Sequence, residues 1–240
     1  MQLTRETGLG VFALRDIPAG TCILTELPLL HFNTRKPSAK CILKRFRALC
    51  ASKQAIFTDL SVYTRTIPER YEIVNAAKKP TEFETFILSI FHNNHLPISK
   101  PGTGVAVYPT AARLNHSCTP NATVSTTTES PPSLVLYANR AINANEELTI
   151  SYLPAIELFN SLPARHRLLT DRHNLDCLCP ACDEKSPNIR KTEPIRDKMA
   201  LMATCLQDDE ATPSLKLRAA DELIRLCEII GLCGEALAFA

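Results

Sequence analysis

Three cysteines lie within six positions of the chain, at Cys177, Cys179 and Cys182. This spacing is typical of a tight turn that wraps several thiolates around one ion, and Zn²⁺ is a metal that takes such ligands. Zinc in structural sites binds four ligands in a tetrahedron. A fourth ligand must therefore come from elsewhere in the sequence.

The best candidate for the fourth ligand is Cys118, because it lies in the polar, turn-forming run 115–121 between apolar segments. His116 and His173 are the alternatives. Three free thiols on a loop would also explain the triplet, but thiols rarely cluster this tightly without a metal. The sequence therefore predicts one zinc site.

The composition is that of an ordinary globular protein in a reducing compartment. The chain has 240 residues and ten cysteines, which makes it too long for a small disulfide scaffold. Its 27 Lys and Arg residues nearly balance 25 Asp and Glu residues, so nucleic acid is not an expected partner. The first residues lack the apolar core of a signal peptide, and no run is long enough to span a membrane. We expect a soluble intracellular protein, with nucleus and cytoplasm both open.

Short β-rich runs stand on both sides of a helical segment. Near the start, a glycine-containing loop at 8–10 precedes runs at 11–14 and 21–24, and this pattern predicts a hairpin or meander. Similar runs, two of them joined by a polar loop at 125–133, return later at 104–108, 122–125, 133–138 and 147–152. Because a helical segment interrupts them, these strands should have partners that are distant in sequence.

The helical segment ends in a clear amphipathic pattern. One helix face is predicted from the spacing of Phe83, Phe86, Ile87, Ile90 and Phe91. Just before it, Thr81 and Glu84 have the spacing of a capping box, in which each side chain satisfies a backbone N–H group of the other.

Two more helices are predicted after Ser186. The first has an apolar stripe of Ile195, Met199, Met202 and Leu206. The second begins behind Thr212 and Pro213, an N-cap followed by proline at the first helical position. Its stripe consists of Leu215, Ala219, Leu223, Leu226, Ile230 and Cys233. The apolar residues from Glu235 onward predict a third helix that the end of the sequence cuts short.

Several other features are weak signals when they are taken singly. Asn115 and His116 could form hydrogen bonds within their own loop. Tyr152 could be an aromatic residue at the end of a strand that covers the core. The Gly-x-Gly segment at 8–10 could be a turn or a close backbone approach.

In this order along the chain, the same features resemble the SET-domain protein-lysine methyltransferases. The resemblance rests on the Gly-x-Gly near the start, the helical insert and the segments 113–121, 145–152 and 177–182. It is strongest to the branch whose animal members carry a MYND zinc finger within a split SET domain. Only Cys41 and Cys50 occur between Leu30 and Phe83, so the resemblance is to this branch without its MYND finger.

The resemblance implies an α+β, mainly β fold in which small sheets surround a helical insert. A zinc-bound post-SET segment and a short helical C-terminal region follow. The expected division is an N-terminal part of the SET domain at 1–37, a helical insert at 38–95, a C-terminal part of the SET domain at 96–153, a post-SET zinc segment at 154–186 and a helical region at 187–240.

The resemblance also implies roles for individual residues. Tyr152 would be the catalytic tyrosine that orients the methyl group and the incoming lysine amine. The residues that would bind S-adenosylmethionine are Gly8, Leu9, Gly10, Asn93, Asn115, His116 and Leu175, with Asn94 as the alternative to Asn93. The zinc ligands would be Cys118, Cys177, Cys179 and Cys182. The family usually has aromatic residues just before the cysteine triplet, where this chain has His173 and Leu175.

The function implied is an S-adenosylmethionine-dependent protein-lysine N-methyltransferase that acts on a histone or a non-histone protein. Its expected partner is a protein or peptide that presents a lysine, with no membrane and no direct nucleic acid, and we expect a monomer. The alternative is a catalytically weak or inactive SET-fold protein that binds peptides. A zinc-ribbon nucleic-acid binder is disfavoured because the charge balance supplies no basic face.

Overall fold

The computed structural model describes residues 2–4, 8–62, 80–98, 104–127, 129–186 and 189–232. The chain divides into two compact units that are both discontinuous in sequence. The first unit consists of Met1–Ile23, Leu114–Thr123 and Tyr137–Ala240, and the second of Leu24–Arg113 and Val124–Leu136. The domain boundaries expected from the sequence stay a prediction.

The described strands are short. In chain order they are β1 (Gln2–Thr4), β2 (Gly8–Phe12), β3 (Cys22–Glu26), β4 (Leu30–Phe32), β5 (His95–Pro97), β6 (Val105–Val107), β7 (Asn115–His116), β8 (Ala122–Thr126), β9 (Leu134–Ala138) and β10 (Glu147–Ile150). The described helices are α1 (Ala39–Arg47), α2 (Ala51–Thr58), α3 (Glu82–Asn94), α4 (Ala155–Leu158), α5 (Leu162–His173), α6 (Ile189–Gln207) and α7 (Pro213–Ile229). Small sheets with helices between and after them agree with the predicted α+β fold class, but the described helices contain more residues than the described strands, so the fold is not mainly β.

The sheet of the first unit has the strand order β1-β2-β10-β7. Strands β1, β2 and β10 pair antiparallel, whereas β10 and β7 pair parallel, with Thr149 opposite Asn115 and Ile150 opposite His116. The parallel pair brings the Asn-His dipeptide beside the end of β10, two residues before Tyr152. The predicted pairing between strands distant in sequence is confirmed here by β2 with β10.

Two predictions near the start of the chain are wrong. The Gly-x-Gly segment is not a loop, because Gly8 and Gly10 lie in β2 and pair with β1. The runs at 11–14 and 21–24 do not form a hairpin or meander, because β2 and β3 belong to different sheets. The segment between them bonds to a remote one instead, with Ala13 N–H donating to Glu146 O at 2.9 Å and Ile17 N–H donating to Ile142 O at 2.8 Å.

Two further three-stranded sheets have the orders β4-β6-β5 and β3-β9-β8. In the first of these, β6 pairs antiparallel with both neighbours. In the second, β8 and β9 are adjacent, so the polar loop that follows Ser125 joins two neighbouring strands as predicted.

Helix α3 begins as the sequence predicts. The Thr81 hydroxyl accepts a hydrogen bond from Glu84 N–H at 3.2 Å, and the Glu84 carboxylate accepts one from Thr81 N–H at 3.0 Å. The buried side of the helix differs from the predicted stripe, because Phe83 and Phe86 are exposed and Leu88 is buried beside Ile87. The core of the second unit combines this face with residues of α1, β4 and β6.

The C-terminal helices α6 and α7 pack against each other in the first unit. Thr212 caps α7 by accepting a hydrogen bond from Leu215 N–H, and Pro213 is its first residue, as the sequence predicts. Of the predicted stripe, Leu215 is exposed, whereas Ala219, Leu223, Leu226 and Ile230 are buried. Cys233 and the third predicted helix lie outside the described residues.

Among the residues that the structure describes, no helix combines the length and hydropathy that a membrane span requires.

Candidate functional site

The four cysteines predicted to bind zinc gather in one place in the first unit. The sulfur atoms of Cys118, Cys177, Cys179 and Cys182 all lie within 4.8 Å of one another, and all four residues are buried. The Sγ atoms of Cys118 and Cys182 are 3.5 Å apart. Neither His116 nor His173 belongs to this cluster, so the choice among the candidates for a fourth ligand falls on Cys118.

The cluster fits a tetrahedral ion. Zinc with Zn–S bonds of about 2.3 Å holds its sulfur ligands about 3.8 Å apart, which is close to the spacing found here. Cys118 N–H also donates a hydrogen bond to Cys179 Sγ at 3.4 Å. Hydrogen bonds from the thiol groups of Cys118, then Cys177 and Cys182, lower the pKa of Cys179, so the cluster favours a thiolate at this position. Four buried sulfur atoms with no oxygen ligand favour Zn²⁺ over Ca²⁺ or Mg²⁺.

His116 connects this cluster to Tyr152. Its Nδ1 accepts a hydrogen bond from Tyr152 N–H at 2.9 Å, and its Nε2 lies 3.3 Å from Cys118 Sγ. Burial lowers the pKa of His116 to about 4, so the imidazole is neutral at pH 7. A neutral ring that accepts at Nδ1 carries its proton on Nε2, and this N–H therefore points at the Cys118 sulfur.

Tyr152 follows β10 and is half-buried. Its hydroxyl donates a hydrogen bond to Leu114 O at 2.7 Å. Its ring centroid lies 5.3 Å from that of His116 and 5.2 Å from that of His173, the last residue of α5. The tyrosine is thus held by its backbone, its ring and its hydroxyl group.

A cavity of about 670 Å³ lies beside His116 and the cysteine triplet within the first unit, and Tyr152 is not among its described lining residues. Three of the residues predicted to bind the cofactor, Asn115, His116 and Leu175, line it together with Phe12 of β2. The remaining lining residues are Ser117, Thr119, Asn121, Arg140, Glu146, Glu147, Thr149, Cys177, Leu178, Cys179, Pro180, Asp183 and Ser186. The cavity is large enough for a ligand the size of a nucleoside derivative.

A polar network forms one wall of the cavity. Asn115 Nδ2 donates to Glu147 Oε1 at 2.6 Å, and Asn121 Nδ2 donates to Glu146 Oε1 at 3.0 Å. Glu146 also pairs with Arg140 at 2.6 Å. The sequence motifs contained Asn121, Glu146 and Glu147, but no role was predicted for them, because their contacts depend on how β10 lies beside the segment 115–121.

The other predicted cofactor residues lie on β2 and α3. Gly8, Leu9 and Gly10 are part of β2. Asn93 lies on α3 in the second unit, where its Nδ2 donates to Ser89 O at 2.7 Å. The alternative, Asn94, is buried and donates to Ser61 O and Ile90 O. The cofactor roles of these residues stay a prediction.

Two buried arginines close to the cysteine cluster were not predicted. Arg165 on α5 and Arg196 on α6 are both fully buried. The sequence did contain a signal, since Arg165 falls in the i, i+3, i+7 stripe of Leu162 and Leu169. Arg196 begins a stripe of the same spacing that continues with Met199 and Ala203. A charged residue within an apolar helical stripe indicates a buried charge with specific partners.

The fold and the site together define a protein of small sheets whose first unit has a cavity beside a tetracysteine cluster. A model of the SET domain matches residues 8–153 of the chain. The chain therefore belongs to the SET-domain family, and the resemblance predicted from the motifs is confirmed.

Curated relatives of the same family match different lengths of the chain. It is 28% identical over 191 residues to the histone-lysine N-methyltransferase set5 of Schizosaccharomyces pombe. These residues make up 80% of this chain and 52% of that protein. It is 34% identical over 119 residues to the histone-lysine N-methyltransferase SMYD3 of Mus musculus. This match covers 47% of this chain and 26% of that protein. The chain thus spans about half the length of the first relative and a quarter of the second.

Among solved structures, the fold is similar to the SET domain of LSMT, which was crystallised with lysine and AdoHcy. The TM-score is 0.49 at 15% sequence identity, over 100% of this chain and 76% of that one.

Proposed function

We propose that this protein is an S-adenosylmethionine-dependent protein-lysine N-methyltransferase. The observation that carries the proposal is the position of Tyr152 in a SET-family chain. It follows β10, and the Asn115-His116 strand beside that element contributes to a cavity suited to a nucleoside-sized ligand. The names of set5 and SMYD3 as histone-lysine N-methyltransferases support the same reaction class.

S-adenosylmethionine, when bound, supplies an electrophilic methyl group to the neutral ε-amine of a lysine. The role of this chain is to align the two reactants and to exclude water, and no covalent intermediate with the protein is needed. Asn115 and His116 would hold the cofactor through side chain and backbone, and Leu175 would cover its adenine by apolar contact. Tyr152 would orient the methyl group and the amine.

The same proposal places one Zn²⁺ ion on Cys118, Cys177, Cys179 and Cys182. Four buried sulfur atoms within 4.8 Å of one another support it. The ion would tie the segment after the SET domain to the Asn-His-Ser-Cys motif, so that His173 stays beside Tyr152 and Leu175 stays at the cavity. Its role would be structural, because all four positions of the tetrahedron are protein ligands.

A peptide-binding protein without activity is the second candidate. The observation that favours it is the occurrence of His173 and Leu175 where relatives have aromatic residues, because Leu175 offers adenine no π surface to stack on. The aromatic ring of His173 still lies beside Tyr152. The two candidates therefore differ in whether S-adenosylmethionine binds and whether its methyl group is transferred.

Two measurements separate the candidates. Equilibrium binding of radiolabelled S-adenosylmethionine should show saturable binding, and a lysine-peptide array read by product mass should show additions of 14 Da, the mass of a CH₂ group, to lysine. Peptide capture without cofactor binding would favour the inactive protein. If the protein binds no S-adenosylmethionine and captures no peptide, both proposals are contradicted.

A further inference from the structure

Arg165 and Arg196 are the two charged side chains of the first unit that are fully buried among the described residues. Taking a guanidinium group out of water is costly unless hydrogen bonds and opposite charge replace the lost hydration. Each of these two guanidinium groups therefore needs hydrogen-bond acceptors and negative charge nearby that offset the cost of its burial.

Arg165 joins the α4 region to the cysteine triplet. Its Nη1 donates to Asn160 O at 2.6 Å, and its Nη2 donates to Ala181 O at 2.9 Å. Ala181 lies between Cys179 and Cys182. The same Nη2 lies 3.9 Å from Cys182 Sγ, so the guanidinium faces a predicted zinc ligand directly.

Arg196 makes a corresponding pair of contacts with the α4 region and with the segment that carries Cys118. Its Nη1 donates to Leu158 O and its Nη2 donates to Cys118 O at 3.0 Å. Each arginine thus bonds one carbonyl of the α4 region and one carbonyl of a cysteine-bearing segment. The planar guanidinium suits this task, because its donors form a rigid fork that can reach two acceptors at once.

The positive charge of the pair exceeds the negative charge supplied by carboxylates. Glu193 on α6 pairs with both groups, at 3.1 Å from Arg165 Nη2 and 3.8 Å from Arg196 Nε. The described ion pairs of Arg165 and Arg196 contain no other acid, so one negative charge faces two positive charges. Four thiolates on one Zn²⁺ carry a net charge of −2, which would supply the missing negative charge.

We infer that Arg165 and Arg196 are positioning residues of the metal centre, which hold its two cysteine segments in place and balance the charge of the zinc tetrathiolate. The inference rests on the zinc site of the proposed function. It assigns to α5 and α6 a role in metal binding, since each helix contributes one of the two arginines. Partners that orient metal ligands in this way typically change metal affinity 10- to 100-fold when they are removed.

Competition with a chromogenic zinc chelator on the full chain tests the inference. Arg165→Met and Arg196→Met keep most of the side-chain volume and should each weaken zinc binding by about 10- to 100-fold. Arg167→Met on α5 and Arg190→Met on α6 are the matched controls, because both arginines are exposed. The controls should bind zinc as the unchanged protein does.

A second pair of variants keeps the test decisive if a methionine variant does not fold. Arg165→Lys and Arg196→Lys retain the charge but lose the fork, and we expect about tenfold weaker zinc binding. Substitution of Co²⁺ provides a spectroscopic readout, because the thiolate absorption bands report the coordination of the four sulfur atoms.

The outcomes distinguish this inference from the zinc proposal itself. If the unchanged protein binds no zinc, both are overturned. If it binds zinc and the Met and Lys variants bind it equally well, the zinc site stands and the role of the arginines is overturned. A fall in melting temperature with unchanged zinc affinity would likewise assign the arginines to packing alone.

Discussion

At the scale of single residues, Tyr152 has two hydrogen bonds that would serve different purposes. Its N–H donates to His116 and fixes the backbone, whereas its hydroxyl donates to Leu114 O. The hydroxyl bond is compatible with a purely structural role. It is also compatible with an oxygen atom held in place for catalysis, since a phenol oxygen is both a donor and an acceptor of hydrogen bonds.

Tyr152→Phe separates these roles. If the hydroxyl orients the methyl group and the amine, kcat should fall about 10²- to 10³-fold while the affinity for S-adenosylmethionine stays unchanged. A structural role predicts the reverse, with a loss of about 1 kcal/mol of stability and full activity. Release of S-adenosylhomocysteine and the melting temperature should be measured on the same preparations. Tyr137→Phe, which changes a more exposed tyrosine, is the control.

Asn115→Ala tests the proposed contact with the cofactor. The amide is buried beside the cavity and donates to the half-buried carboxylate of Glu147, so its loss removes this hydrogen bond together with the proposed contact to the cofactor. We expect the affinity for S-adenosylmethionine to fall by about 1–3 kcal/mol, as measured by equilibrium binding. Asn139→Ala is the control, because it removes a half-buried amide that bonds to Pro120 O and is not among the described residues that line the cavity. Unchanged cofactor affinity in a folded Asn115→Ala protein would return Asn115 to a structural role.

The role of a residue could be predicted where few kinds of chemistry use that residue type in that spacing. The spacing of Cys177, Cys179 and Cys182 predicts a metal site, and Cys118 was the best candidate for the fourth ligand. The positions of Arg165 and Arg196 within apolar helical stripes indicate burial, but they do not identify the partners. Most of their hydrogen-bond acceptors are backbone carbonyls, which any residue supplies, so the approach of the α4 region to the cysteine segments could not be predicted from sequence spacing.

At the scale of elements, helix α3 shows which boundaries are encoded locally. The two hydrogen bonds of its capping box lie within four residues, so they could be predicted without knowledge of the rest of the fold. The failed hairpin between the runs at 11–14 and 21–24 is the opposite case. There, the backbone of Ala13 and Ile17 bonds to a segment near residues 142–146, and no local signal identifies that partner.

Thr81→Ala should destabilise the unit that contains α3. The substitution leaves Glu84 N–H without its side-chain acceptor, and losses of this kind cost about 0.5–2 kcal/mol. Thr81→Ser retains the hydroxyl and is the matched control, which should unfold close to the unchanged protein. Urea denaturation followed by circular dichroism measures both. Equal midpoints for the Ala and Ser variants would show that the capping box contributes nothing to stability.

At the scale of the whole molecule, the described residues form two hydrophobic clusters. One contains the four cysteines of the predicted zinc site together with residues of α5, α6 and α7, such as Leu169, Met199 and Leu223. The other contains residues of α1, α3, β4 and β6, such as Ile42 and Phe91. The first unit is assembled from three chain segments and the second from two. Changes of sequence pattern locate helices and strands, but they do not show which segments return to the same cluster.

Removal of zinc should therefore affect the two clusters unequally. Without the ion, the four thiolates would repel one another or take up protons, and the arginines would lose the negative charge that balances them. The cluster built around the cysteines should open locally, whereas the cluster of Ile42 and Phe91 contains no metal ligand and should persist. Local opening of this kind is seen as faster hydrogen exchange at backbone amides.

Hydrogen exchange followed by mass spectrometry can test this prediction on the full chain, before and after treatment with a zinc chelator. We expect amides of α5, α6 and α7 to lose protection and those of α1 and α3 to keep it, with protection restored when zinc is added back. Because zinc binds the folded state, its removal should also lower the melting temperature. Equal loss of protection in both clusters would show that the molecule unfolds as one cooperative unit. Unchanged protection in α5, α6 and α7 would show that the metal does not support these helices.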